Sequence, residues 1–194
     1  MFVLRRLTES DMYQAVGLKV ACWPEELAGL SAEVLDLECE HSFWTEWMNT
    51  APEHNDVRLL YGAFGNGEML GVAFGSFVES KDSPESGFEL NGLWVEPSHR
   101  GKGVALSLID RLLCDFHELG AEKIVIYSFH HSPSNHFYRR LGCEVTATEH
   151  QLPETVPVDV FSCDIVKMKA EIHAILENRH KPVRSHEHPT HSGH

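Results

Sequence analysis

No run of about 18 apolar residues, the length a membrane span needs, occurs anywhere in the chain. The opening Met1-Phe2-Val3-Leu4-Arg5-Arg6 has no charged segment followed by an apolar stretch, so a secretory leader is not predicted either. Cysteine is scarce and unpatterned. Cys22, Cys39, Cys114, Cys143 and Cys163 are odd in number and widely scattered, with no Cys-x-x-Cys pair, which excludes a disulfide framework. A cytoplasmic chain with reduced thiols is expected. Positive charge is short as well. Sixteen Lys and Arg face 29 Asp and Glu, a net charge of −13, which argues against nucleic acid as a partner. No Lys or Arg falls between Lys19 and Arg58, where Glu25, Glu26, Glu33, Asp36, Glu38, Glu40, Glu46, Glu53 and Asp56 lie. Internal repeats of solenoid length are missing too.

What is there reads as one α/β domain over residues 1–170, with residues 171–194 as a helical extension and a disordered His-rich tail. A strand at residues 2–7 leads through the capping residues Thr8 to Asp11 into a helix carrying Met12, Ala15, Val16, Leu18 and Val20. Pro24 is expected to interrupt that helix, and a second is predicted to begin at Ser31. Apolar runs at 57–64 and 69–78 flank Gly65-Asn66-Gly67 as a hairpin, and a third strand, 88–95, is closed by Pro97. Residues 103–119 carry a strong helical period and stop at Gly120. A buried strand at 123–127, a short helix at 132–141 ending at Gly142, and strands at 144–150 and 158–168 complete a mixed central sheet of six to seven strands flanked by about four helices.

The window from Leu90 to Ala105 carries the chemistry. It reads as a strand, a glycine loop and a helix start, and helix N-termini present unpaired backbone N–H groups with a partial positive charge. Gly101, Gly103 and Ala105 leave clearance for a diphosphate to reach those donors, and Arg100 and Lys102 add charge. A Walker A loop needs Ser or Thr after its Gly-Lys; here Gly103 follows Lys102. Arg100, Gly103 and Ala105 match R/Q-x-x-G-x-G/A, Val95-Glu96-Pro97 precedes them, and Phe137-Tyr138-Arg139-Arg140-Leu141-Gly142 forms a second signature, F-Y-x-x-L-G. With these motifs the sequence resembles the GNAT acetyltransferase family over nearly all of residues 2–168.

The resemblance implies acetyl-CoA as co-substrate, no metal, and a fork between strand 88–95 and strand 123–128 that receives the pantetheine arm. It implies backbone contacts from Leu93, Trp94 and Val95, and a diphosphate on the amides of Gly101, Lys102, Gly103, Val104 and Ala105. Homodimers are common among such proteins. Tyr138 matches the family tyrosine near the coenzyme sulfur, and its phenol can protonate the departing thiolate. For the amine base, regular alternation would put Glu89, Asn91, Leu93 and Val95 on one face, with Asn91 where relatives often carry Glu. Asn cannot be a base, so Glu89 is preferred, with water as another route. Relatives often place a coenzyme-contacting Asn seven residues before the tyrosine, where this chain has His131; Asn135 is the nearest substitute.

Trp23 to Leu30 with a later Trp44 resembles a small-molecule GNAT pattern, with Leu27 where Tyr is usual, and Trp23, Glu26 and Asn91 are expected on the acceptor side. The leading expectation is N-acetylation of a small, cationic primary amine. Acetylation of a protein N-terminus or lysine, and a non-catalytic acyl-CoA-binding module, remain as alternatives. The clustered histidines His130, His131, His180, His186, His188, His191 and His194 are irregularly spaced, and a catalytic metal is not expected.

Overall fold

The apolar runs pair into a single mixed sheet. The computed structural model describes residues 1–27, 34–78, 87–151 and 156–180. The strands are β1 (Val3–Arg6), β2 (Arg58–Gly65), β3 (Glu68–Phe77), β4 (Gly87–Val95), β5 (Lys123–Phe129), β6 (Glu144–Gln151) and β7 (Val156–Asp164), in spatial order β1-β2-β3-β4-β5-β7-β6. Only β4 and β5 run parallel; every other neighbouring pair is antiparallel. The helices are α1 (Met12–Glu26), α2 (Leu37–Asn49), α3 (Val104–Glu118), α4 (Ser134–Arg140) and α5 (Ile165–His180). No helix among the described residues is long and apolar enough to cross a membrane.

Three local expectations shift. Pro24 lies inside the last turn of α1 rather than breaking it at once; its missing N–H leaves the Val20 carbonyl without its helix partner, and the helix ends two residues later. The second helix starts at Leu37, capped by the Asp36 carboxylate on the Cys39 N–H at 2.8 Å; the expected start at Ser31 lies outside the described residues. The final strand stops at Asp164, not residue 168. The Asp164 carboxylate accepts the Lys167 N–H at 2.9 Å, and the buried Ile165, Met168 and Ile172 follow a helical period that seats α5 on the main core. Residue 170 therefore falls inside α5. The histidines of residues 181–194 lie outside the described residues.

Each face of the sheet carries its own core. On the face covered by α3 and α5, Phe88 stacks on Phe116 with ring centroids 4.4 Å apart, among Leu108, Ile109 and Leu112. On the face covered by α1 and α2, Trp44 and Trp94 pack against Phe74 at 5.4 and 5.5 Å.

A β-bulge decides what β4 presents to each side. Phe74 pairs with Gly92 while Gly75 pairs with Leu90, so Asn91 is an extra residue. Phe88, Leu90, Leu93 and Val95 all face the α3 core, whereas Trp94 faces α1 and α2. Glu89 pairs with Ser76, on the same side as Phe74, and the Ser76 hydroxyl donates to Asn91 Oδ1 at 3.0 Å. The expected alternation is thus corrected: Glu89 and Asn91 do not share a face with Leu93 and Val95.

Gly92 lets the Trp94 indole lie over the strand, since a Cβ there would come within 2.2 Å of the ring. Gly92→Ala is expected to lower unfolding stability by about 1–3 kcal/mol through overpacking, read as a lower urea midpoint with unchanged slope.

The parallel pair is short. In its register Gly87 stands opposite Lys123, Phe88 opposite Ile124 and Glu89 opposite Val125, and beyond these the strands part. The fork falls where the resemblance implied.

Candidate active site

The parting strands open a cavity of about 610 Å³. Its lining includes Trp23, Glu26 and Trp44 from one face of the sheet and Ala105, Leu106, Phe137 and Tyr138 from the other, so the cavity passes through the sheet. Along its edges lie Leu90 to Val95 of β4 and Ile126 to Phe129 of β5, the segments whose facing backbone groups have lost a strand partner.

At one end the cavity reaches the start of α3. Gly101 and Gly103 have φ of +73° and +87°, a region open to glycine, and no side chain caps the helix. The first intrahelical bond runs from the Ser107 N–H to the Gly103 carbonyl, which leaves the amides of the first turn available to an anion. The donor set suits a diphosphate. Gly101, Gly103, Val104 and Ala105 line the cavity as expected, whereas Lys102 is exposed outside it.

Arg100 lines the cavity but does not add free charge to those amides. Its guanidinium is ion-paired with Glu25 at 2.7 Å, donates to the Val95 carbonyl at 3.2 Å, and approaches Cys22 Sγ at 3.5 Å. The acidic end of α1, which the motif alone does not reveal, draws it toward the acceptor side.

The opposite end is aromatic and acidic. Trp94 Nε1 donates to Glu26 Oε1 at 2.6 Å, joining the end of α1 to the middle of the sheet. Burial pushes the Glu26 carboxyl above the ordinary glutamate range, against the opposing pull of the Trp94 N–H and Lys19. Glu26 has no salt bridge among the described residues. Lys19 is already committed: it is ion-paired with Glu40 and lies over Trp23 and Trp44 at 5.3 and 5.2 Å. Trp23 Nε1 is buried without an acceptor among the described residues.

Tyr138 stands on the α4 side, buried, packed on Phe137 and Phe161, and lining the cavity. Burial raises its phenol well above the usual range, and the negative charge of Glu26 adds to the effect. The phenol and the carboxylate both line the cavity, on opposite sides of the fork.

Two expected site residues sit elsewhere. Glu89 lies where β4 and β5 are still paired, and it does not line the cavity. Asn135 is turned inward: its amide donates to the Phe129 and His130 carbonyls at 2.9 Å each, and its oxygen accepts from Ser128 at 2.6 Å. Both amide donors are thus used on Phe129 and His130, which ties α4 to the end of β5. Leu93, Trp94, Val95, Asn91 and Trp23 all line the cavity. No group of three or more His, Cys, Asp or Glu residues that could hold a metal occurs among the described residues.

The family described as "Acetyltransferase (GNAT) family" matches residues 21–143. The fold is similar to an N-acetyltransferase from Staphylococcus aureus Mu50 (TM-score 0.66, 16% identity, 85% of this chain and 99% of that one). It is also similar to YncA of Salmonella typhimurium, solved with its cofactor acetyl-CoA (TM-score 0.61, 17% identity, 84% and 94%). PaiA N-acetyltransferase of Thermoplasma acidophilum, in complex with coenzyme A, is a third such structure (TM-score 0.61, 16% identity, 84% and 99%). No curated protein matches the sequence. The chain belongs to the GNAT acetyltransferase family. Its co-substrate is acetyl-CoA, and the uncapped amides opening α3 fit that molecule's diphosphate.

Proposed function

We propose that this enzyme acetylates a primary amine on a small, cationic molecule by direct transfer, and that it works in the cytoplasm, where its five free thiols stay reduced. The observation that carries this reading is the acceptor end of the cavity, where Glu26, without a salt bridge among the described residues, stands among Trp23, Trp44 and Trp94. A carboxylate without a salt-bridge partner among the described residues favours a cationic guest.

Acetyl-CoA supplies a thioester carbon and a thiolate leaving group. Glu26 accepts a proton from the incoming ammonium, which frees the nitrogen lone pair, and its raised affinity for protons suits that task. As the C–N bond forms and the C–S bond breaks, the Tyr138 hydroxyl donates a hydrogen bond to the departing thiolate, and the second proton lost by the nitrogen balances the charge on that sulfur. Because burial holds the phenol protonated, it remains a donor throughout the neutral range. Glu89 is the competing base, and it would have to act through water from outside the cavity.

Polyamines, amino acids and aminosugars, set against peptides with free N-termini or lysines, test the reading in a thiol-release assay with acetyl-CoA. At least one small amine is expected to be turned over faster than every peptide. Activity confined to peptides would reject a small acceptor.

A further inference from the structure

The region matched by the family ends at residue 143, yet the chain sends another helix back to the site. α5 is moored along α3 by the buried Met168 and Ile172, and by His173 Nε2 at 3.0 Å from Asp110. Its last turn thereby reaches the loop that opens α3. There Arg179 Nη1 donates to the Gly101 carbonyl at 2.9 Å, and Arg179 lines the cavity. A Cβ placed at Gly103 would touch that same nitrogen and Leu176 Cδ2 at 3.4 Å, an ordinary contact distance, so the end of α5 lies directly against the opening of α3.

The two cations the motif offers are otherwise placed. Arg100 is neutralised by Glu25, and Lys102 is exposed outside the cavity. Arg179 thus stands against the diphosphate loop itself. We propose that Arg179, from beyond the segment the family defines, supplies the positive charge of the coenzyme diphosphate site in this protein. One N–H of the guanidinium fixes it to Gly101, and the remaining N–H groups of the planar fork, which have no acceptor among the described residues, are left for phosphate oxygens beside the first-turn amides of α3. The inference rests on acetyl-CoA being the co-substrate.

Calorimetry on the full chain, with coenzyme A, its form lacking the 3′-phosphate, and pantetheine lacking both phosphate groups, separates the possibilities. Arg179→Ala is expected to weaken coenzyme A and the 3′-dephospho form alike by about tenfold, the scale of a charge-assisted hydrogen bond, and to leave pantetheine unchanged. Arg179→Lys, which keeps a point charge without the fork, is expected to fall between. The slope of log affinity against log salt should also become shallower in the alanine variant. Unchanged coenzyme A affinity would overturn the proposal, as would a loss seen only when the 3′-phosphate is present. An equal loss with pantetheine would show that Arg179 merely shapes the loop. If the unsubstituted protein binds no coenzyme A at all, the coenzyme reading itself fails.

Discussion

Glu26→Gln is expected to lower kcat by about 10²- to 10⁴-fold, the range for loss of a general base, while coenzyme A affinity stays unchanged. Glutamine keeps an oxygen for the Trp94 N–H, so the bond from α1 to β4 survives and only the proton acceptor is lost. The pH profile gives an independent reading. Glu26 acts ionised, so kcat/KM should rise with pH through a limb lying above the ordinary glutamate range, and the substitution should remove that limb.

Stability supplies the control. A carboxyl whose proton affinity is raised by folding contributes stability that is fully present below its unfolded pKa and lost as pH rises through its folded pKa. At neutral pH the charged form therefore works against the fold, and the glutamine variant should be at least as stable as its parent. Glu89→Gln is expected to leave the limb in place; its disappearance in that variant would return the base to Glu89.

Tyr138→Phe is expected to reduce kcat by about 10²-fold with little change in KM or in thermal midpoint. The phenol oxygen makes no hydrogen bond to another described side chain or backbone group, so its removal leaves no partner stranded. The contribution is a hydrogen bond to the developing sulfur anion. Burial and the nearby Glu26 charge make complete transfer of the phenolic proton costly, so the hydroxyl acts mainly as a fixed donor. If Tyr138→Phe and Glu26→Gln both retain full turnover, these roles are wrong even though the fold stands. A protein with no turnover before substitution, yet with coenzyme affinity, would be a binding module instead.

The local chemistry was legible from sequence because it is written in adjacent residues. The glycine loop, the helix that follows, and Tyr138 four residues before Gly142 need only short spacings, and the family resemblance carried by those motifs implied the fork. Trp23, Glu26 and Asn91 were expected on the acceptor side, but the bond that joins Glu26 to Trp94 and the second arginine were not legible, for a definite reason. Trp94 meets Glu26 across 68 residues, and Arg179 meets Gly101 across 78, so neither contact leaves a local pattern. Asn135 shows the converse hazard: its position beside Tyr138 suggested a ligand, but local carbonyls take its amide donors.

Glu89 was misplaced by one event, the additional residue at Asn91. That insertion acts like a half-twist in a ribbon, exchanging inside for outside along everything downstream of it. Were Asn91 to take a regular place in the ladder, with no bulge, the Trp94 indole would turn toward the α3 core and Leu93 toward α1. The aromatic wall of the acceptor end thus owes its existence to a single unpaired position in the strand ladder.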